Sequence, residues 1–357
     1  MINLWWEQIS GARRLLEAVA SDVEEEKNII LYFSPGTPWT DDFRTILIDK
    51  LGTLLIDREV KLISYTAANV GAFMLENYCP KEVRYKYRPP KSEGTFLGEC
   101  QSLTLSDQVI WLQLEDNEQL ESWLSFITDY RQVLNKESRK AVFIIELAEA
   151  VPDLGKRRYF KQYDIGQKIP EYVRYTFASI LASESGVKET LVTYLSQLIT
   201  SCCEDVELIP LCIEQYQQLL QQPYATTMQL VQAKLRSDGS AFAAVEADEF
   251  ASRVWEAQLK ILFPYVERYR VYIIKKLMKQ INERLQFPYK TNFGDLEAAE
   301  ELELKDITYA LGTGRLTMND AKEYNRLASF LRFRNSLAHG NPLAYEDVKF
   351  LLENYAG

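Results

Sequence analysis

The first half of the chain alternates short, strongly apolar runs with longer amphipathic segments, and few folds accept that rhythm. The runs are Asn28-Ile-Ile-Leu-Tyr-Phe33, Val60-Lys-Leu-Ile-Ser-Tyr65, Gln108-Val-Ile-Trp-Leu-Gln-Leu114 and Ala141-Val-Phe-Ile-Ile-Glu-Leu147. Each has the length of a strand, and most are too apolar to leave one face in water. Between and before them lie helical patterns from about Leu4 to Val23, Asp41 to Leu55, Ala68 to Asn77 and Glu118 to Leu134. Strands separated by helices need crossover connections, which give a mainly parallel sheet covered on both faces. Glu171-Tyr-Val-Arg-Tyr-Thr-Phe177 reads as a further strand, Val83 to Arg88 as a basic extended stretch and Pro89 to Gly98 as a loop. Residues 1–180 are therefore expected to form an α/β domain.

From Val187 onward the apolar residues follow helical spacing, with Pro210, Pro223 and Ser237-Asp-Gly-Ser240 as punctuation. Residues 181–240 read as a helical extension ending in a linker, and residues 241–357 as an all-α bundle. Ala241 to Gln286 is a long helical tract expected to break or kink at Pro264. Its cations, Arg268, Arg270, Lys275, Lys276, Lys279 and Arg284, are interleaved with Glu267 and Glu283, the pattern of a solvated helix face. Phe287 to Asn292 reads as a loop, Asp295 to Leu311 as an acidic helix, Thr317-Met-Asn-Asp320 as a capping box, and Leu343 to Asn354 as the last helix.

Charge narrows the partners. The net charge is −10, and from Asp248 onward 16 basic residues balance 16 acidic ones, so residues 1–247 hold the whole imbalance with 25 against 35. A broad nucleic-acid surface is disfavoured, and only the C-terminal part is electrostatically free to approach RNA. The N-terminus lacks a basic n-region and an apolar h-region, and no apolar run reaches membrane-spanning length, so a cytoplasmic protein without membrane contact is expected. Cys79, Cys100, Cys202, Cys203 and Cys212 lack C-x-x-C spacing and have one histidine in the chain to assist them, which predicts reduced thiols and no metal site.

That histidine, His339, lies in Leu327-Ala-Ser-Phe-Leu-Arg-Phe-Arg-Asn-Ser-Leu-Ala-His-Gly-Asn-Pro-Leu343. Taken as a helix, Leu327, Phe330, Leu331, Leu337 and Ala338 form its apolar face, and Gly340 with Pro342 stops it. Arg332, Asn335 and His339 share another face, while Arg334 lies over the apolar stripe. Read structurally, this is a helix C-terminus where a cationic imidazole is well placed and the arginines are solvated. Arg334-Asn335-Ser-Leu-Ala-His339, with four residues between Arg and His and Ala338-His339-Gly340 at the close, resembles the motif of the HEPN superfamily.

The resemblance implies a helical bundle that dimerises through the motif helices and cleaves RNA without metal or cofactor. Arg334, Asn335 and His339 are then the catalytic candidates, with Arg332 in reserve. Histidine is the side chain whose unperturbed pKa suits a general base near neutrality, and arginine grips phosphate through paired N–H groups. Asn335 would orient the imidazole or bond the phosphate.

The N-terminal order, with a strand, a Gly/Pro turn, a helix and a later strand ending in Glu146, resembles a P-loop nucleotide-binding domain in degenerate form. Ser34-Pro-Gly-Thr-Pro-Trp-Thr-Asp-Asp42 has one glycine, no lysine, two prolines and two acids where phosphates would lie, so nucleotide hydrolysis is not expected. Glu146 and Glu149 read as solvated strand-end acids. The combined expectation is an endoribonuclease effector of a bacterial defence or toxin-like system. Its N-terminal domain would be regulatory and open to protein partners; the alternative is a non-catalytic dimerisation scaffold.

Overall fold

The apolar runs of the first half build one parallel sheet in the computed structural model of the chain, which describes residues 2–65, 69–100, 103–151, 155, 157–166, 169–291 and 294–355. The chain divides into two units, residues 1–169 and 170–357. The first contains α1 (Ile2–Gln8), α2 (Ser10–Glu24), β1 (Asn28–Phe33), α3 (Thr40–Leu54), β2 (Glu59–Tyr65), α4 (Val70–Tyr78), α5 (Lys81–Arg84), α6 (Glu93–Cys100), α7 (Leu103–Ser106), β3 (Gln108–Leu114), α8 (Leu120–Val133), β4 (Val142–Leu147) and β5 (Phe160–Ile165). The strand order is β2-β3-β4-β1-β5, and every neighbouring pair is parallel. The start expected at Ala68 for the fourth helical element lies outside the described residues.

Burial follows strand position. The central β3 and β4 are almost wholly buried, whereas β5 at the edge buries only Phe160 and Ile165. On one face of the sheet α8 sets Trp123, Phe126 and Tyr130 around Phe143, with ring centroids 6.2–6.4 Å apart. Such aromatic clusters dominate the apolar area that holds a layer to its sheet. Fully buried Asn28 ties the N-terminal ends of three strands. Its side chain donates to the Tyr159 carbonyl (3.2 Å) and accepts from the Phe143 N–H (3.0 Å).

The second unit is helical: α9 (Glu171–Glu184), α10 (Glu189–Cys202), α11 (Leu208–Glu214), α12 (Tyr216–Gln221), α13 (Pro223–Ala233), α14 (Ala247–Arg284), α15 (Leu304–Gly312), α16 (Ala321–Ala338) and α17 (Tyr345–Asn354). A short hairpin, β6 (Tyr289–Thr291) and β7 (Gly294–Leu296), follows α14. The 38-residue α14 is the spine, and its buried stripe from Phe250 through Val254, Leu262, Val266, Tyr269 and Ile273 to Ile281 supplies a surface for the other helices. Pro264 does not break it. That residue is exposed, so the carbonyl it leaves unpaired one turn back, at exposed Lys260, faces water.

Several local expectations are corrected. Glu171–Phe177 is the first half of α9, because Pro170 and Glu171 start a helix whose Phe177, Ala178, Leu181 and Ala182 are buried at helical spacing. The fifth strand is Phe160–Ile165 instead. Residues 81–84 and 93–100 are helical rather than extended and loop, and residues 294–296 pair as β7 where an acidic helix was expected. The cap of α16 is Asp320, which accepts from the N–H groups of Lys322 and Glu323, while Thr317 bonds to Gln280. Four of the five thiols are buried, and Cys100 is partly so. Among the described residues no helix is long and apolar enough to cross a membrane.

Candidate functional site

The end of α16 is fixed by local sequence. Asn341 N–H donates to the Ser336 carbonyl (3.0 Å) and Gly340 N–H to that of Leu337 (3.4 Å), with Gly340 at φ +79°. This is a Schellman stop, and it needs the left-handed conformation that glycine supplies without strain. His339 is thereby the C-cap residue that follows the helix, placed at the mouth of the turn. Leu327, Phe330, Phe333 and Leu337 form the buried stripe beneath. Phe333 belongs to it, and Ala338 is exposed.

Two side chains of α14 hold this end from behind. Trp255 donates its indole N–H to the Leu337 carbonyl (2.7 Å). Gln258, 1% exposed, donates to the Leu343 carbonyl (2.9 Å) and the Tyr194 hydroxyl (3.1 Å) and accepts from the Leu343 N–H (2.6 Å). Both positions were invisible in the sequence, where they are apolar-face residues of a distant helix. A third anchor lies at the other end of α16, in its first turn. Buried Glu323 accepts from the hydroxyls of Tyr269 (2.7 Å) and Tyr272 (3.3 Å) and from the Lys276 ammonium (2.8 Å). Burial pushes its carboxyl upward, but these bonds outweigh it and hold the group below its ordinary value.

An open groove of about 480 Å³ runs along the exposed side of α16, lined by Arg332, Asn335, Ser336, His339 and Asn341 over Ala328 and Leu331. His339 and Asn335 therefore share one face with Arg332. Arg334 does not line this groove. It turns toward α15, where its guanidinium lies 3.7 Å from Glu303, the residue that caps that helix. Arg332 is engaged as well, making a two-pronged pair with Asp347 of α17 (2.6 and 2.7 Å). That pair raises the guanidinium further above its ordinary pKa. Other α14 cations serve structure: Arg270 meets Glu267 and two carbonyls after β7, and Lys279 lies near Glu283.

The loop after β1 has different chemistry. Pro35 and Pro38 carry no N–H, while the N–H of Ser34 bonds to the Ile165 carbonyl (2.7 Å) and that of Thr37 to Ser34 (3.0 Å). The Thr37 hydroxyl bonds the carbonyls of Ser34 and Ile165, and Gly166 lies so close that a Cβ there would come within 2.0 Å of that hydroxyl. A phosphate cradle needs a convergent set of free N–H groups, and here Ser34 gives its N–H to β5, Thr37 gives its own back to Ser34, and the two prolines have none. Glu146 is not a solvated acid as its position suggested. It is buried and accepts from Arg44 of α3 through both oxygens (3.0 and 2.5 Å) and from the Trp111 indole (3.0 Å). Arg44 also pairs with Asp41. Glu149 is exposed.

No protein-family model matches the chain, and no curated protein matches it. Among solved structures, the chain is similar to one of Drosophila ORC bound to DNA, at 12% identity and a TM-score of 0.40, covering 99% of this chain and 97% of that one. A structure of C. elegans PCH-2 matches at 10% identity and a TM-score of 0.26, over 61% of this chain and 73% of that one. At these scores neither likeness bears on chemistry.

Proposed function

We propose that the chain is a metal-independent endoribonuclease of HEPN type, with His339 as the proton-transfer group and a degenerate P-loop-like N-terminal domain in a regulatory role. The single observation behind this reading is that the sole histidine, Asn335 and an arginine line one open groove at a rigidly terminated helix end. In the reaction, a neutral imidazole takes the proton of a ribose 2′-OH, and the oxygen attacks the adjacent phosphorus. The 5′-oxygen leaves with a proton, giving a 2′,3′-cyclic phosphate and a 5′-OH. Charge gathers on the non-bridging oxygens, which a guanidinium and the Asn335 amide stabilise. In a two-fold dimer of the motif helices, the second copy's His339 supplies the leaving-group proton and its Arg334 approaches the same phosphate.

The reading places such an enzyme in a bacterial defence or toxin-like system, in the cytoplasm, with protein partners at the N-terminal domain. Purified protein incubated with total RNA in EDTA is expected to cleave it, and His339→Ala to abolish cleavage. Equal cleavage by both proteins, or none by either, refutes the proposal.

A specific observation favours a second reading, a non-catalytic dimerisation scaffold. Both arginines are already paired within this chain, Arg332 with Asp347 and Arg334 with Glu303. Under that reading His339→Ala leaves the biological phenotype intact, whereas Leu337→Asp, which disrupts the helix seat, destroys it.

A further inference from the structure

Residues 81–91 concentrate positive charge in the most acidic part of the chain. They carry Lys81, Arg84, Lys86, Arg88 and Lys91 against one acid, Glu82, which leaves 20 basic and 34 acidic residues in the rest of 1–247. The segment is held from beneath. Arg84 donates to the carbonyls of Glu76 (2.6 Å) and Cys79 (3.2 Å) at the end of α4, and Tyr87 packs edge-on against Phe96 with centroids 5.4 Å apart. What remains outside is Lys81, Tyr85, Lys86, Arg88 and Lys91, all exposed. Lys91 pairs with Glu99, while Arg88 donates to the carbonyls of Tyr85 and Tyr87. Among the described residues, Lys81, Lys86 and Arg88 have no carboxylate partner. The Tyr85 ring is 66% exposed, and the Lys86 ammonium lies 6.0 Å from its centroid.

We infer that this segment is a contact surface for a single-stranded nucleic acid. Cations spaced along a one-turn helix and the irregular chain after it neutralise successive phosphates, and an exposed aromatic ring between them is what an unpaired base stacks on. A membrane surface asks for a helix with an apolar side, and α5 is four residues long with no such side. An acidic protein would use the cations without calling for an exposed tyrosine ring among them. The inference does not rest on the nuclease reading, because no residue of the α16 groove takes part in it.

The test uses the full chain carrying His339→Ala, so that binding is measured without cleavage. A fluorescein-labelled oligouridylate of about 15 nucleotides is titrated by anisotropy, at salt from about 50 to about 200 mM. The K81E/K86E/R88E variant is expected to bind at least about tenfold more weakly. Its plot of log K against log salt is shallower by about 2, since each single-strand contact contributes about 0.7. Tyr85→Ala weakens binding about tenfold through lost stacking and leaves the slope unchanged. Should the triple variant fail to fold, Tyr85→Ala and K81E/K86E carry the same test, because among the described residues those side chains make no hydrogen bond or ion pair. Unchanged affinity in these variants overturns the inference. So does a loss confined to phosphatidylserine vesicles or to polyglutamate.

Discussion

Replacing Gln258 with leucine keeps the side-chain volume close and removes every polar contact that the amide makes. The Leu343 N–H and carbonyl and the Tyr194 hydroxyl then lose their partner at a position from which water is excluded. Each buried polar group left unpaired costs roughly 1 kcal/mol or more. A buried leucine returns about 1 kcal/mol of that. The second unit is therefore expected to lose about 2–3 kcal/mol, which for its size lowers the melting temperature by about 5–10 °C. Trp255 is the sole tryptophan after residue 169. In fluorotryptophan-labelled protein its ¹⁹F resonance, assigned through Trp255→Phe, reports that unit alone. A Trp255 resonance that melts at the wild-type temperature in Gln258→Leu refutes the claim that this amide anchors the turn behind His339.

Three other perturbations follow from the same geometry. Glu323→Gln is expected to destabilise the second unit by about 1–2 kcal/mol at neutral pH, the scale of a charged hydrogen bond. Because the folded carboxyl is held below its ordinary value, the difference from wild type is full above about pH 4.3 and fades as pH falls through the folded value. Urea titrations across pH check this, and a gap that widens on acidification contradicts it. Arg44→Met strands the buried Glu146 charge and is expected to cost about 3–5 kcal/mol, whereas the double replacement R44M/E146L recovers most of that loss; equal unfolding midpoints for the single and double variants refute it. Gly166→Ala sets a methyl against Thr37 in a backbone of φ +117° and is expected to destabilise the first unit by several kcal/mol, about as much as other overpacked, strained sites. Thr37→Ala in that background is expected to restore part of the loss, and no rescue contradicts the steric cause.

What was legible in the sequence was what local composition decides. β1, β3 and β4 announce themselves because parallel central strands are apolar on both faces, and the stop of α16 is written in His339-Gly340-Asn-Pro342. β5 escaped because Phe160-Lys-Gln-Tyr-Asp-Ile165 is an edge strand whose exposed residues carry no apolar run. Glu171–Phe177 misled for the opposite reason. Its aromatic and β-branched alternation is strand-like, and packing against α10 decides for helix. At the site, periodicity placed Arg332, Asn335 and His339 on one face, as they lie. It could not place Arg334 against Glu303, nor Trp255 and Gln258 behind the turn, because those contacts join residues far apart in the chain.

The chemistry assigned to the α16 groove is tested most directly by the ends of the cleavage products. A defined oligoribonucleotide is incubated with the protein in EDTA and the fragments are weighed by mass spectrometry. Wild-type protein is expected to give 2′,3′-cyclic phosphate and 5′-OH termini, and His339→Ala to leave the substrate intact. Fragments ending in 5′-phosphate, cleavage that requires a divalent cation, or the same products from His339→Ala contradict it.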